Sequence, residues 1–553
     1  MENNTEINSY AGFTIGPIYE VLSSARKTRE LWFASYFFSW FMEKTIEALS
    51  TNGDIDFLLP YVEIPFNPNH SITGKYHDRF ILQSSLNKEE LFNEIQKASD
   101  DTLNFFVDLI NEFVSKTGAN YLKDADKDSV KNILNSYIQR NFIVFNTESF
   151  EQSNIINSIN IYLDSMEENR YFNTGILDKS CFICRALPAV IEANVWVKSN
   201  NYERKELCPL CFVKHYAHKS DKVAEKIGMS DFRYPTVLDI AAVELLTEEV
   251  KNSNPIFKDY EKDYDLDVIK QALYETCEEE TVDSLLKKAY FKYFAIIQAD
   301  GDNLGKVLGK IKKPEGIANF SKSLFDFANE AEKIITFYKG YPIYIGGDDI
   351  LAFAPVAFKE SDGGTKTVID LAIELSEKYK DLMNKDMLGT SLSIGINIAY
   401  YKFPLSLALK NAQMQLFGVA KKVDGKNALA LLLTKHSGHQ IGFNFQFGSS
   451  DIKNFSELLR KTLAEKIDFP HSLHHNLSRF KTVIANIPDE GRLKAFFENN
   501  FNEPEHSKYT SGIDSVMNYF KEVMFPVSTG QRFNCVKEIL SKFAFIKFLR
   551  GEK

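Results

Sequence analysis

"YPIYIGGDDILAFAP", Tyr341 to Pro355, is the stretch on which the reading of the fold turns. Two runs of β-forming residues flank Gly346-Gly347-Asp348-Asp349, a pattern that predicts an antiparallel hairpin whose glycines supply φ > 0 and leave room for a ligand. Asp348 is expected to begin the returning strand, and its charge repels that of Asp349. Upstream, "YFAIIQADGD" (293–302) reads as a central strand ending in Asp300, Gly301 and Asp302, with a helix starting around Asn303 to Lys306. A strand end meeting a helix N-terminus favours phosphate, and Gly301 would let a triphosphate come close. If the hairpin lies beside that strand, Asp300, Asp348 and Asp349 converge. Mg²⁺ or Mn²⁺ between their oxygens would then keep all three ionised. Strand side chains alternate, so Asp348 and Asp349 are expected on different faces unless the turn bulges, one on the catalytic metal and the other on a second metal or a positioning group.

Carboxylates, divalent cations and a phosphate-receiving turn suit nucleotidyl transfer, in which cations activate a hydroxyl, steady an α-phosphate and stabilise leaving pyrophosphate. "VAKKVDGKN" (419–427) adds Lys421, Lys422 and Lys426 as point charges for the β and γ phosphates. The plain alternative is an acidic turn with a solvated lysine face. Having the aspartates, the hairpin and the lysines in one α+β unit favours a site. Asp300, Asp348 and Asp349 are therefore the expected catalytic residues and Mg²⁺ or Mn²⁺ ligands. Gly301, Asp302, Gly346, Gly347, Lys421, Lys422 and Lys426 are the expected ATP-binding set.

Working outward, the segments from Tyr293 to Leu433 alternate strand and helix, and a second α+β unit opens the chain. In that first unit "FTIGPIYEVLSSARKTRELWF" reads β-turn-α, "DIDFLLP" and "HDRFILQ" read as strands, and the second half reads as helix to about Leu163. Residues of about 170–285 show no strand alternation, and the chain after His436 reads as amphipathic helices. The expected architecture is an α+β multidomain chain. It divides into a first unit over 1–165, a cysteine-bearing helical insert over 166–286, a second unit over 287–435 and a C-terminal helical bundle over 436–553. The two α+β units could be a diverged pair.

Four of the six cysteines form "CFIC" (Cys181, Cys184) and "CPLC" (Cys208, Cys211), separated by 23 residues. Two such turns make a tetrahedral Zn²⁺ site, structural because four protein ligands leave no open position. His215 or His218 could replace a cysteine, although both are expected on the outer surface of the knuckle. Cys277 and Cys535 read as small buried apolar residues, and the cysteine usage suits a reducing compartment.

The 553 residues carry 65 Lys and Arg against 75 Asp and Glu, a net charge of −10, which argues against coating nucleic acid alone. No apolar run reaches the ~20 residues of a membrane helix and no signal peptide opens the chain, so a cytoplasmic location is expected.

"ADGDNLGK", "YIGGDD", "LSIGI" and "AKKVDGKN", in that order, resemble the Palm domain shared by diguanylate (GGDEF) cyclases and the large signalling subunit of type III CRISPR effector complexes. Asp349-Ile350 stands where GGDEF enzymes carry Glu-Phe, which favours the second family. "FTIGPIYEVLSSARKTRELWFASYFFSW" resembles the degenerate first Palm domain of its type III-B (Cmr) version. The resemblance implies two ferredoxin-like, nucleotide-cyclase-like Palm domains. It also implies association with other Cmr subunits, guide RNA and target RNA, and synthesis of a 3′-linked adenylate messenger from ATP once target RNA is bound. The family's HD nuclease would be absent, since His77-Asp78 sits in a strand-like run and only 12 residues precede Phe13. Arg26 and Arg29 of "ARKTR" are expected on one helical face, solvated or meeting another subunit rather than RNA. The alternatives are AMP transfer to an acceptor such as S-adenosylmethionine, a catalytically silent scaffold, and a template-directed polymerase, the last disfavoured because no basic channel is legible.

Overall fold

The computed structural model describes residues 7–63, 73–147, 155–168, 179–198, 201–216, 234–258, 264–311, 313–360, 363–383, 389–470, 472–502 and 504–551. The first sheet contains β1 (Ser9–Gly16), β2 (Ile55–Leu59), β3 (Arg79–Ser84) and β5 (Gln139–Asn146) in the order β2-β3-β1-β5, every pairing antiparallel. The aromatic-rich helix Thr28–Ser50 links β1 to β2, and Lys88–Lys116 follows β3, started by a capping box in which Asn87 and Glu90 exchange hydrogen bonds. Strand-helix-strand-strand-helix-strand in this order is the ferredoxin-like arrangement. β5 interrupts the stretch read as helix to Leu163; of its residues Val144 alone is buried, so the strand carries little of the alternation that marks a half-buried strand.

The insert differs from expectation. β6 (Ile191–Lys198) and β7 (Asn201–Leu207) form a hairpin, and β6 also pairs with the short β4 (Asn120–Tyr121) of the first unit. The strand signal in "IEANVWV" lies in its β-branched and aromatic residues, which the helices around it obscured.

The second sheet has β8 (Tyr293–Asp302), β9 (Tyr341–Gly346), β10 (Asp349–Pro355), β13 (Ser391–Tyr400), β14 (Ala428–Thr434) and β15 (Gln440–Gln446), ordered β15-β14-β13-β8-β10-β9. Its β13-β8-β10-β9 portion repeats the topology of the first sheet. In both units the register slips by one residue at the equivalent edge strand, between Phe57 and Leu59 and between the partners of Leu351 and Ala352. The pair β11 (Ala357–Lys359) and β12 (Thr365–Thr367) precedes helix Val368–Met383. β15 extends the sheet past His436, where helix alone was expected, because "QIGFNFQ" buries only every second residue.

The same alternation divides the second sheet between two cores. Ala295, Ile297, Ala352 and Ala354 face helices Pro314–Phe337 and Val368–Met383, and the C-terminal helices, from Ser450–Leu463 to Arg532–Leu549, continue that core. Phe294, Ile296, Leu351 and Phe353 face Trp32, Phe33 and Phe37 of the first unit. A helix hydrophobic on all sides, Thr28–Ser50, is thus buried between the two sheets. Cys277 and Cys535 are half-buried at the margin of the first of these cores, not fully buried.

Helix Leu405–Gln413 widens into a π turn at Met414–Val419 and tightens into a 3₁₀ turn at Ala420–Lys422, which presents Lys421 to the end of β8. Gly395 of β13 permits this close packing, since a Cβ there would lie 2.6 Å from the Ala412 carbonyl oxygen and 2.8 Å from the Leu416 Cα. Gly395→Ala should therefore cost about 1–3 kcal/mol and lower the thermal midpoint. Gly442→Ala, whose nearest neighbour would be 3.5 Å away, should not. Equal midpoints for the two variants would contradict this packing.

Candidate functional site

The turn between β9 and β10 is two residues long, Gly347-Asp348, with Gly347 at φ 69, the glycine-first pattern of a type II′ hairpin. Asp349, not Asp348, begins the returning strand, as its pairing with Gly346 shows. Ile350 pairs with Ala299, so Asp349 comes level with Asp300 where the neighbouring strands end. Asp348, in the turn, swings back over β8, and the Gly301 N–H donates to its Oδ2 at 3.2 Å. One oxygen from each of Asp300, Asp348 and Asp349 falls within 4.8 Å of the others. Asp348 belongs to the turn, so strand alternation does not govern it, and its carboxylate meets the other two at the strand ends.

Burial raises the Asp348 carboxyl, His77 opposes the shift and Asp300 adds to it. Asp349 is pushed well up by burial, then by Asp348, Asp300 and Asp78, with only Lys421 pulling it down. Lys421 forms an ion pair with Asp300, and its ammonium donates to the Gly301 carbonyl oxygen at 3.0 Å. Lys426 donates to Asn303 Oδ1 at 3.3 Å, at the same rim, whereas Lys422 is exposed. Three oxygens that repel at this spacing fit the hard, oxygen-seeking divalent cations.

Asp302 has a different surrounding from the one expected. Its carboxylate is fully buried and accepts from Ser391 Oγ at 2.7 Å, Ser393 Oγ at 2.9 Å and the Asn427 N–H at 3.0 Å. Lys426 and Asn427, both at positive φ, make the bend that delivers that N–H. Asp302 thus ties the lysine loop to the strand that bears Asp300. Gly301 accommodates protein groups: a Cβ there would meet Asp348 Oδ2 and the Tyr379 hydroxyl, each at 2.8 Å. The following helix, Leu304–Leu308, is a single short turn preceded by left-handed Asn303. Gly346 leaves space for the Tyr344 ring, and Gly347 for His77 and Leu324.

His77 was unrecognisable as a neighbour of this site because it comes from the first unit. His77 and Asp78 precede β3 instead of lying inside it. The Tyr344 hydroxyl and His77 Nδ1 are 3.1 Å apart. Tyr379, bonded to Thr390 Oγ1 at 3.0 Å, was equally invisible, since a tyrosine on a helix reads as core.

Cys181, Cys184, Cys208 and Cys211 form a second cluster, all four sulfurs within 4.8 Å of one another and Cys184 Sγ 3.9 Å from Cys208 Sγ. A tetrahedral Zn–S₄ site has sulfur edges of about 3.8 Å. His215 is not on the outer surface: it is buried against Glu30, Nδ1 to Oε1 3.6 Å. Against the upward push of burial, His215, the Arg26 N–H and Lys214 bring the Glu30 carboxyl down to about 2. His218 lies outside the described residues. Arg26 lies in the bend before helix Thr28–Ser50, not on a helical face with Arg29. Its guanidinium donates to the carbonyl oxygens of Phe182 and Ile183, both at 3.1 Å, and stacks on the Phe182 ring. Arg26 therefore clasps the cysteine knuckle.

Residues 293–430 match the family model for the second palm domain of Cas10/Cmr2, and residues 10–104 match that for the N-terminal region of the CRISPR-associated protein Cmr2. The CRISPR system Cmr subunit Cmr2 of Pyrococcus furiosus is 25% identical over 580 aligned positions, covering 82% of this chain and 64% of that protein. The chain thus spans just under two thirds of that relative's length. Among solved structures, a chain of the type III-B Cmr-beta complex in its apo state superposes with a TM-score of 0.61 at 12% identity, covering 100% of this chain and 82% of that one. The same complex bound to cognate target RNA gives 0.61, with 84% of its chain covered. At that identity the likeness is one of fold. Among the described residues, no helix is long and apolar enough to cross a membrane.

The raised Asp348 and Asp349 carboxyls give a pH signature. An unfolded aspartate loses its proton near ~3.9, whereas these two ionise only at higher pH in the folded chain. Across that interval the folded state binds more protons. Metal-free stability contributed by these groups therefore falls as pH rises and stays low above it. A cation that requires the ionised form offsets the loss, so the thermal-midpoint gain on adding Mn²⁺ should grow as the pH rises from the acid range through neutral. A gain equal at both ends, measured by scanning fluorimetry, would contradict this.

Proposed function

This chain belongs to the Cas10/Cmr2 family of type III-B CRISPR large subunits, and we propose that its second palm is a metal-dependent nucleotidyltransferase, activated by target RNA, that makes cyclic oligoadenylate from ATP and releases pyrophosphate. The observation that carries this reading is the meeting of Asp300, Asp348 and Asp349 at one corner, each offering an oxygen within 4.8 Å of the others. Bound Mg²⁺ or Mn²⁺ supplies activation of the attacking 3′-hydroxyl and charge stabilisation at the phosphates.

The three aspartates hold the cations and fix the line of attack. The 3′-oxygen of one ATP forms a bond to the α-phosphorus of another, the bond from that phosphorus to the β-phosphate bridging oxygen breaks, and pyrophosphate carries away the electron pair. The hydroxyl proton passes to solvent or to a neighbouring carboxylate. Lys421 and Lys426, at the rim, meet the negative charge that accumulates on the leaving group. Asp302 keeps the lysine loop in register with β8, while Lys422, exposed, is available to a terminal phosphate. AMP transfer to a second small molecule such as S-adenosylmethionine would use the same corner and differs only in the acceptor. The partners are the other Cmr subunits with guide and target RNA, met through the complex in the cytoplasm. A net charge of −10 supports RNA contact shared with partners.

Asp348→Asn with Asp349→Asn should reduce product formation by ~10³-fold or more in complexes supplied with target RNA and Mg²⁺ or Mn²⁺. The variant should be as stable as the parent or slightly more so without metal, since it loses a repulsion. Undiminished synthesis by a well-assembled variant would place the chemistry elsewhere.

The cysteine cluster is proposed as a structural Zn²⁺ site that folds the insert against the first palm. Metal analysis should find about one zinc per chain. Cys208→Ser should lose it and expose the 181–216 region to proteolysis. Folded, reduced protein that contains no zinc would end this assignment.

A further inference from the structure

The connection between β2 and β3 is the topological counterpart of the catalytic turn between β9 and β10. The catalytic turn takes two residues, whereas its counterpart runs from 60 to 78. Its described end, 73–78, leaves its own sheet and lies along β9, the edge strand of the second sheet. Gly74 pairs in parallel with Tyr344, and its carbonyl accepts from the Ile345 N–H at 2.9 Å. Lys75 bridges to Glu332 at 2.9 Å and donates to Asn329 Oδ1 at 2.8 Å, anchoring the segment to helix Pro314–Phe337. On the other side the Tyr76 N–H donates to Ser39 Oγ at 2.9 Å, and a Cβ on Gly74 would lie 2.8 Å from the Ser39 Cβ. Held from both sides, the segment has little freedom, and it ends at the catalytic turn.

At that turn His77 makes two contacts. Its Nδ1 shares a hydrogen bond with the Tyr344 hydroxyl at 3.1 Å, the rings meeting edge to face with centroids 6.2 Å apart. Its Nε2 lies 3.0 Å from where a Cβ of Gly347 would be. The Tyr344 ring passes over Gly346. Both glycines of the turn are thus packed against this pair, and the next two residues are Asp348 and Asp349. We propose that His77 of the first palm is a positioning residue for the catalytic hairpin: bonded to Tyr344, it fixes the backbone of Gly346-Gly347 and so sets where Asp348 and Asp349 hold the cation. Beyond the Gly346–Asp349 pair that closes the turn and the Gly301 N–H on Asp348, the backbone of Gly346-Gly347 is braced from the other palm. The degenerate palm thereby acquires a role in the reaction without touching nucleotide, and a shift of one palm against the other would alter the metal site first.

The proposal rests on reading the hairpin as catalytic, and metal binding separates the two. Mn²⁺ affinity is measured by electron paramagnetic resonance on the full chain without nucleotide, and pyrophosphate release from ATP on the assembled complex with target RNA. The variants are His77→Ala, His77→Asn, Tyr344→Phe and His77→Ala with Tyr344→Phe. Loss of the bond should weaken Mn²⁺ binding and raise the Mn²⁺ midpoint of the reaction by a few-fold to about tenfold, equally in His77→Ala and Tyr344→Phe. The double variant should be no worse than either single one, because both remove the same interaction. His77→Asn, whose amide can reach the position of Nδ1, should restore most of the affinity. Tyr344→Phe deletes one oxygen and keeps the test open if His77→Ala fails to fold. Unchanged Mn²⁺ affinity in Tyr344→Phe, or losses that add in the double variant, would overturn the proposal while leaving the nucleotidyltransferase reading intact. Weakened Mn²⁺ binding in variants of a complex whose parent releases no pyrophosphate would support the positioning role and sink that reading.

Discussion

Three carboxylates share one corner of this protein, and the fold around them works against their repulsion. Two unit charges less than about 5 Å apart at an effective dielectric of about 20 repel by ~3 kcal/mol or more, comparable to a sizeable part of a domain's net stability. Left to itself a flexible loop would relax by separating the acids. Here the register of β8 with β10 makes Asp349 level with Asp300, the two-residue turn leaves Asp348 no other direction, and the Gly301 N–H holds one of its oxygens. Lys421 offsets one charge of the three. The remaining excess is of the kind a divalent cation would neutralise, and the geometry that enforces proximity also fits the corner to such an ion.

Much of this was legible because the signals were local. Paired glycines between β-forming runs specify a tight hairpin, the strand pattern before Asp300 specifies a buried neighbour, and the two CxxC turns gather their sulfurs as their spacing predicts. The illegible parts depended on which face a residue turned. Asp302 is two positions from Asp300, on the same face of the strand by alternation, yet its carboxylate is taken up by Ser391 and Ser393 of the neighbouring strand and by the Asn427 N–H. His215 resembles a ligand in sequence and proves to be the partner of Glu30, 185 positions earlier. Arg26 has the look of a surface charge and is a strut to the knuckle. The hairpin of β6 and β7 went unread since its alternation is weak and helices surround it. That hairpin apart, the deciding contact in each case joins residues far apart in the chain, and no window of sequence contains it.

The two palms share one topology and divide the work. The second palm offers one sheet face to its own helices and the C-terminal bundle, and the other to the aromatic helix of the first palm. The first palm lacks an acidic turn. The described end of its equivalent connection, residues 73–78, lies against the edge strand of the second sheet, beside the acidic turn.

The central claim is that this corner transfers a nucleotidyl group from ATP, and product analysis tests it most directly. The complex assembled with guide RNA is incubated with ATP, Mn²⁺ and target RNA, and the products are resolved by mass spectrometry and digestion with a 3′–5′-specific phosphodiesterase. The account predicts pyrophosphate together with 3′-linked adenylates, dependent on the target. Recovery of unchanged ATP, or of ADP with inorganic phosphate in place of pyrophosphate, would contradict it.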